Sequence, residues 1–593
     1  MLSERFTETS NPIVDPRNGD AEDDASSTKQ RKLSSIAGSM LAEISLPKFI
    51  MAWVLLIGLP GISLGMAPLA LSAWLTRFSD RVAALSGIGS LLVLTFLALV
   101  GWYGLRPLFR LVESNFWALH ALAIQPVYAL CREGLSHAAE SFLEPDALEA
   151  NRSRRRAAMA AMGGLIASVL ALAVVAVVWP YTRWSATFAE LSAPTRLIIP
   201  ALANAAAIVA MYSAVASIVW GFNDALMDQP QNLNAFDDRS TATRTWRVAH
   251  LSDLHAVAER YGFRIESGRA GPRGNDVLAR LLKQLDAIHK SNPIDVLLIS
   301  GDMTDAGRST EWAEFLDQMS RYPALAERTL ILPGNHDLNV VDRANPARLE
   351  LPNSPQKPLR QMRTLSAMEF VQGARAHVFD RETGRVGTTL TEALKPHRDL
   401  IAAFSDNPRY RQSRELSRLW VESFPQIVPP PSADGIGVII LNSNAETNFS
   451  FTNALGIVAA EDVRAVLKII DQYPKAGWIV ALHHHLMEYP MPVKAFSERV
   501  GTALINGSWF VRALKPIAHR AVVMHGHRHI DWIGSTGALK VVSAPSPVMG
   551  SGKDCAPYYY IHNLTAGHAG RINLLPPDRI DVGEDFSVSS QDA

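Results

Sequence analysis

Residues Ile294 to Asp305 read IDVLLISGDMTD, an apolar run of strand length, Ile294 to Ser300, set directly against a turn that holds two carboxylates. A short aliphatic run bounded by turn residues fits a strand covered on both faces, so Ile294 to Ser300 is predicted as a buried strand. Gly301 ends it. Asp302 and Asp305 follow just beyond the carboxyl end of the strand, where open α/β sheets present their ligand groups.

The same arrangement recurs outward in both directions. Arg247 to Leu251, Thr329 to Leu332, Gly437 to Asn442, Trp478 to Leu482 and Ala521 to Met524 also read as buried strands, with amphipathic helices at Asp276 to His289 and Glu461 to Tyr473. This alternation predicts an α/β, layered domain over residues 243–575, with its chemistry at strand ends. Residues 340–432 break the rhythm with mixed helical stretches and prolines, Pro429, Pro430 and Pro431 among them, and read as an insertion over the site. A polar tail, 576–593, follows.

Upstream the composition changes. Phe49 to Leu75, Val82 to Leu105, Ala157 to Trp179 and Leu197 to Phe222 are almost wholly apolar, each long enough to span a bilayer, and they predict an all-α bundle of about four transmembrane helices over residues 48–222. Pro60, Pro68 and Pro200 would kink these helices, and the Gly61 to Gly65 spacing would let two of them approach closely. Residues 1–47 are polar, read as disordered, and precede any apolar segment, an order unlike a cleaved signal peptide. A polar linker, 223–242, joins bundle to domain.

Basic residues cluster beside two spans: Lys29, Arg31, Lys32 and Lys48 before the first, and Arg152, Arg154, Arg155 and Arg156 at the third. Positive charge near span ends is retained inside, so both clusters mark the cytoplasmic face. Four spans then return the domain over residues 243–575 to the cytoplasm, as in a bacterial inner-membrane protein. Lys plus Arg and Asp plus Glu number 57 each, so no nucleic-acid partner is predicted. Cys131 and Cys555 have no metal-ribbon or disulfide-framework spacing.

Five motifs stand at the strand ends: Asp253-Leu-His255, Gly301-Asp302-Met-Thr-Asp305, Gly334-Asn335-His336-Asp337, His483-His484-His485 and Gly526-His527-Arg-His529. Together they offer oxygen and nitrogen donors without thiolate, a set that suits two divalent transition-metal ions such as Mn, Fe or Zn in a catalytic centre. Two such ions can clamp a phosphoryl group and activate a water, which makes a phosphate ester the expected substrate. Singly, a motif such as DxH or GNHD reads equally well as turn chemistry. Jointly, five ordered at five strand ends do not.

In that order the motifs resemble the DxH, GDxxD, GNH(D/E), H and GHxH pattern of the calcineurin-like metallophosphoesterase superfamily, and the tandem histidines bring the sequence nearest to the class III cyclic nucleotide phosphodiesterases. The resemblance implies a four-layer α/β/β/α sandwich. It further implies that Asp253, His255 and His529 hold one metal, that Asn335, His483 and His527 hold the other, and that Asp302 bridges them. His336 would contact the phosphoryl oxygens and protonate the leaving group, Asp305 would orient it, and a metal-bridging hydroxide would attack phosphorus. His483 lies nearest the strand end, but a shift of one would make His484 the ligand.

Phosphodiester hydrolysis is therefore the leading expectation, with a cyclic nucleotide or a lipid phosphodiester as substrate and membrane lipids as neighbours. The four spans and the long stretch between Asn335 and His483 depart from the class III enzymes and weigh against cyclic nucleotides. A non-catalytic membrane sensor or scaffold is the alternative, and a lost ligand would be its signature. A transporter fits less well, since acidic residues are scarce in the spans. The segment Gly262 to Asn275, with Arg264, Arg269 and Arg273, reads equally as a substrate-anion contact or a solvated loop. His525 reads as packing at its strand end, and His289 and His397 as surface residues.

Overall fold

The larger unit has the two-residue strand β1 (Gln231–Asn232) before strand β2, seven residues from Thr245 to Leu251 whose aliphatic and alternating side chains leave five of its positions buried. The computed structural model describes residues 50–83 except 52, then 95, 125–142, 152–238, 244–258, 275–341, 348–351, 354–406, 408–448, 450–490, 504–549 and 556–583. The chain divides into two compact units, which meet in sequence at Gln229 and Pro230.

In the unit after Pro230, five strands form one sheet in the order β14 (Ile572–Asp581), β13 (Tyr558–Ala566), β2, β3 (Val296–Ile299), β4 (Thr329–Ile331), and nine form another in the order β1, β11 (Trp532–Thr536), β12 (Leu539–Ser543), β10 (Ala521–His525), β9 (Gly477–Ala481), β8 (Ile436–Ile440), β7 (Gln426–Val428), β5 (His377–Asp380), β6 (Arg385–Thr389). Strands β2 (Thr245–Leu251), β3 (Val296–Ile299) and β4 (Thr329–Ile331) run parallel, as do β8 (Ile436–Ile440), β9 (Gly477–Ala481), β10 (Ala521–His525) and β12 (Leu539–Ser543). Parallel strands are buried on both faces, which explains why β8, β9 and β10 are apolar throughout and wholly buried. All six predicted strands and both predicted helices are present, the helices at Asp276–Ser291 and Ala460–Gln472. One continuous core draws Val248 and Leu298 from the small sheet, Val438, Ile479 and Met524 from the large sheet, and Leu281, Trp312 and Phe315 from helices. The result is the mixed, layered α/β fold that the sequence predicts.

Two sequence readings are revised. Residues 340–432, expected as an insertion over the site, are built into the domain: β5 (His377–Asp380), β6 (Arg385–Thr389) and β7 (Gln426–Val428) extend the large sheet beyond β8, and the helix Gln356–Gln372 sends Met362, Leu365 and Met368 into the core. The prolines that suggested a lid fall between short elements rather than in one long loop. The expected linker is also partly structured, since β1 (Gln231–Asn232) pairs antiparallel with β11 (Trp532–Thr536) and the Asp237 carboxylate accepts from Lys540 and from the Leu574 N–H at 2.8 Å.

Among the described residues, the unit before Pro230 contains three helices long and apolar enough to cross a membrane, over Leu59–Ser79, Ser153–Tyr181 and Pro194–Ala225. Of the expected second span, Val82 to Leu105, only Val82, Ala83 and Thr95 are among the described residues. Pro68 lies inside the helix Leu59–Ala83. Pro200 sits in the first turn of Ile198–Ala225, where a missing N–H costs little. At Gly65 a side chain would meet the Ala201 carbonyl oxygen at 1.7 Å, so the glycine lets two helices approach closely there. Buried Asn204 donates to the Gly65 carbonyl across the same contact at 3.2 Å.

Candidate metal centre

Every motif loop starts where a parallel strand stops, β2, β3 and β4 supplying three and β9 and β10 two. Backbone bonds between loops fix their spacing: Asp253 N–H donates to the Gly301 carbonyl at 3.0 Å, His255 N–H to the Asp302 carbonyl at 3.0 Å, and Gly526 N–H to the His483 carbonyl at 3.1 Å. Asp253, His255, Asp302, His527 and His529 all take left-handed backbone angles, with φ of 57°, 44°, 53°, 77° and 53°. Among the described residues Ala569 alone joins them as a non-glycine with positive φ. Such conformations cost about 1 to 3 kcal/mol each and persist where the surroundings over-determine them, commonly at functional sites. Gly301, at φ 102°, is excluded from substitution twice over, because a Cβ would lie 2.3 Å from His483 Nδ1.

The seven predicted ligands converge in two overlapping groups. In the first, His529 Nε2 is 3.1 Å from Asp253 Oδ1 and His255 Nε2 is 4.0 Å from the same oxygen. In the second, His483 Nε2 is 3.0 Å from Asn335 Oδ1, 3.1 Å from His527 Nδ1 and 3.3 Å from Asp302 Oδ2. Asp302 Oδ2 also lies 4.0 Å from His255 Nε2, so this one carboxylate oxygen faces both groups. The second oxygens of the two aspartates are held by main-chain donors, Asp253 Oδ2 by His527 N–H at 2.9 Å and Asp302 Oδ1 by His336 N–H at 2.8 Å.

Proton accounting separates the tandem histidines. His483 Nδ1 donates to the Ser300 carbonyl at 2.8 Å, so Nε2, the nitrogen among the acceptors of the second group, is the one whose lone pair becomes available when His483 is neutral. Ser443 Oγ accepts from the N–H groups of His483 and His484, both at 3.2 Å, and lies 2.9 Å from His484 Nδ1. With both lone pairs used, its own proton goes to His484 Nδ1. His484 must then carry its proton on Nε2 and has no lone pair to give a metal.

Electrostatics favours cations here. Burial, then His336, pushes His255 down to about 3, and burial with neighbouring histidines holds His527 well below its ordinary value, so both are neutral donors. Burial alone would lower His483 as well, yet the Asp302 and Asp253 carboxylates raise it to about 9. Buried carboxylates that drive a histidine to hold a proton are short of positive charge. Both ring nitrogens of buried His255 also lack hydrogen-bond partners. Converging acceptors, orphaned imidazole nitrogens and a shared carboxylate fit two divalent ions.

The predicted catalytic pair meets through the main chain of Asp305. His336 Nδ1 bonds the main-chain carbonyl of Asp305 at 2.7 Å, whereas the Asp305 carboxylate faces His255 Nδ1 at 3.6 Å. His525 is buried at its strand end with Tyr489 stacked on it, 6.2 Å between centroids, as packing predicts. Except for Asn275, the arginine-bearing segment Gly262 to Asn275 lies outside the described residues. Sequence reasoning missed Ser443 and Asp337. Asp337 Oδ1 accepts from Thr304 N–H at 3.0 Å and Oγ1 at 2.7 Å, and Oδ2 from Gly334 N–H at 2.9 Å, tying two motif loops together. Ser443 could have been found by the strand-end rule, since it follows the run Gly437 to Asn442.

Residues 247–531 match the family model described as Calcineurin-like phosphoesterase. No curated protein matches the chain. Among solved structures, a dimetal phosphatase from Danio rerio aligns at 10% identity over 57% of this chain and 99% of its own, with a TM-score of 0.32. A purple acid phosphatase from yellow lupin, Lupinus luteus, aligns at 11% identity over 57% and 52%, TM-score 0.28. A phosphopantetheinyl hydrolase from Mycobacterium tuberculosis aligns at 15% identity over 51% and 90%, TM-score 0.22. These likenesses are distant; the match of residues 247–531 to a calcineurin-like phosphoesterase domain agrees with the mixed α/β sheets and with clustered His and Asp side chains that could hold divalent metal ions.

Proposed function

We propose that this protein is a membrane-tethered phosphodiesterase whose centre holds one divalent ion on Asp253, His255 and His529 and a second on Asn335, His483 and His527, with Asp302 shared. The observation that carries this reading is the convergence of His483 Nε2, His527 Nδ1, Asn335 Oδ1 and Asp302 Oδ2. All seven ligand positions are filled by donor residues, which argues against a non-catalytic scaffold. Bound ions would supply an activated water and neutralise phosphoryl charge.

The remaining work falls to the chain's own residues. His336, only partly buried, has Nδ1 committed to the Asp305 carbonyl, so Nε2 is the nitrogen available to the substrate. A doubly protonated His336 can donate from Nε2 to the departing oxygen, while the fixed Nδ1 contact holds the ring in place. Ser300 and Ser443 set the tautomers of His483 and His484 and keep one lone pair aimed at the centre. The resemblance to class III enzymes favours diesters over monoesters, and the apolar helices support a reaction beside a bilayer, where lipid diesters and soluble nucleotides are both in reach.

The test is a metal-loaded activity screen of the purified full chain against cyclic nucleotides, phospholipid diesters and simple monoesters, with Asp302→Asn alongside. Loading of two ions per chain, preference for a diester and loss of most activity in Asp302→Asn are expected. Full activity with fewer than about one bound ion would sink the two-metal reading.

A further inference from the structure

The helix Tyr410–Glu422 buries Ser413, Leu416, Leu419 and Trp420 and turns its other side outward. Among the described residues from Pro230 onward, the large apolar side chains left mainly exposed are Tyr410, at 62%, and Val421, at 59%. Both sit on this helix. At 3.6 residues per turn they project about 20° apart, and Arg414, Arg418 and Arg411 follow at roughly 40°, 80° and 100° from Tyr410. All three arginines are exposed, and among the described residues no ion pair engages them. Glu415 and Glu422 border the stripe without interrupting it. A charged helix face is ordinarily just solvated. Here the same face also carries the two apolar side chains that the rest of the unit keeps covered.

An aromatic, an aliphatic and three guanidinium groups on one face match a phospholipid surface, whose headgroup layer takes the rings and alkyl groups while its phosphates meet the cations. Such a surface is available to this chain. The last candidate span ends at Ala225 and β1 begins at Gln231, so the intervening Leu226 to Pro230 reach at most roughly 20 Å when extended. We propose that the Tyr410–Arg414–Arg418–Val421 face docks on the anionic headgroups of the bilayer that the N-terminal helices cross. This rests on the membrane reading above and gives the 340–432 segment a role other than a lid.

The test uses the full chain in lipid nanodiscs, with Val421→Cys carrying an environment-sensitive fluorophore in a chain whose Cys131 and Cys555 are replaced by serine. A second reporter at Asp471→Cys, exposed on another helix, serves as the reference. Expected are a blue shift and quenching by brominated lipid at position 421 alone, stronger in discs with phosphatidylglycerol than in phosphatidylcholine, and weakened by about 0.5 M salt. Replacing Arg411, Arg414 and Arg418 together by Gln should lower the docking constant by roughly a hundredfold. Incorporation into discs without a shift at position 421 would overturn the docking proposal alone. An equal shift in detergent micelles and in both lipids would mean that a protein surface covers the face, and would also overturn it. Failure to enter discs would remove the membrane reading and this proposal with it.

Discussion

His336 stands five residues beyond the end of β4 and Asp305 six beyond the end of β3, and their roles separate by atom. Because the Asp305 carbonyl holds His336 Nδ1 while its carboxylate faces His255, Asp305→Asn leaves the His336 contact intact and changes the setting of a metal ligand. His336→Ala should keep both ions and lower kcat by roughly 100-fold or more, the scale of lost general acid catalysis. Asp305→Asn should instead weaken metal affinity with a smaller change in kcat at saturating metal. Metal titration and steady-state kinetics on both variants decide this, and a kcat loss in Asp305→Asn equal to that of His336→Ala would refute the separation.

His483 adds a pH dependence with a definite sign. In the metal-free protein Asp302 and Asp253 hold its proton up to about 9, against the opposing effect of burial, and that proton must leave before Nε2 can bind a metal. Apparent metal affinity should therefore rise with pH from about 6.5 to 8.5, by up to about tenfold per unit for this one proton, and flatten near 9. Competition with a chelator across that range measures it. A flat profile would mean that the proton is already gone.

The ligand types and their order were legible in the sequence because each motif abuts an apolar run, and strand ends collect ligands. What was not legible is how protons are placed. Nothing in His483-His484-His485 says which ring receives the Ser443 hydroxyl, because Ser443 arrives from β8, a neighbouring strand that is distant in sequence.

Elements were read well where one periodicity dominated. The continuous aliphatic runs of β3, β8, β9 and β10 can be little else than buried parallel strands, and the predicted bounds fall within a few residues of those observed. Residues 340–432 were misread because their strands are short and their helices separated by proline, so no single period runs long enough to show the edge of a sheet. The consequence is measurable. The helix Gln356–Gln372 supplies Leu359, Met362, Leu365 and Met368 to the main core, and Arg360 donates to the Leu338 carbonyl at 2.8 Å just behind the His336 loop. Replacing 340–432 by a short linker should abolish cooperative unfolding, since losing even one such buried side chain costs about 2 to 5 kcal/mol. Thermal denaturation of the purified protein tests this, and a folded, active excision variant would show the segment to be separable after all.

For the whole molecule, the proposed tether sets the side on which the centre lies by the number of spans. Three helices qualify as spans, and the fourth expected span lies largely outside the described residues. With four, the basic clusters at Lys29 to Lys48 and Arg152 to Arg156 share a side with the catalytic domain, as the charge rule requires. Reporters active only outside the cytoplasm, fused after residue 240 and within 133–150, should both be silent. Activity at the first would place the phosphoesterase outside and exclude intracellular nucleotides as its substrates.

The pairing of β1 with β11 bears on how the domain can be taken apart. Strand β11 lies next to the edge of the large sheet, begins three residues after His529, and is covered by Gln231 and Asn232, with Asn232 Oδ1 accepting from Trp532 Nε1 at 3.0 Å. A fragment begun at Thr245 would strip this cover and leave the unpaired N–H and C=O groups of β11 as a template for another chain. Such a fragment should self-associate through that strand, whereas one begun at Pro230 should stay monodisperse in size-exclusion chromatography. The first residues of the larger unit after Pro230 thus also act as the selvedge of its large sheet.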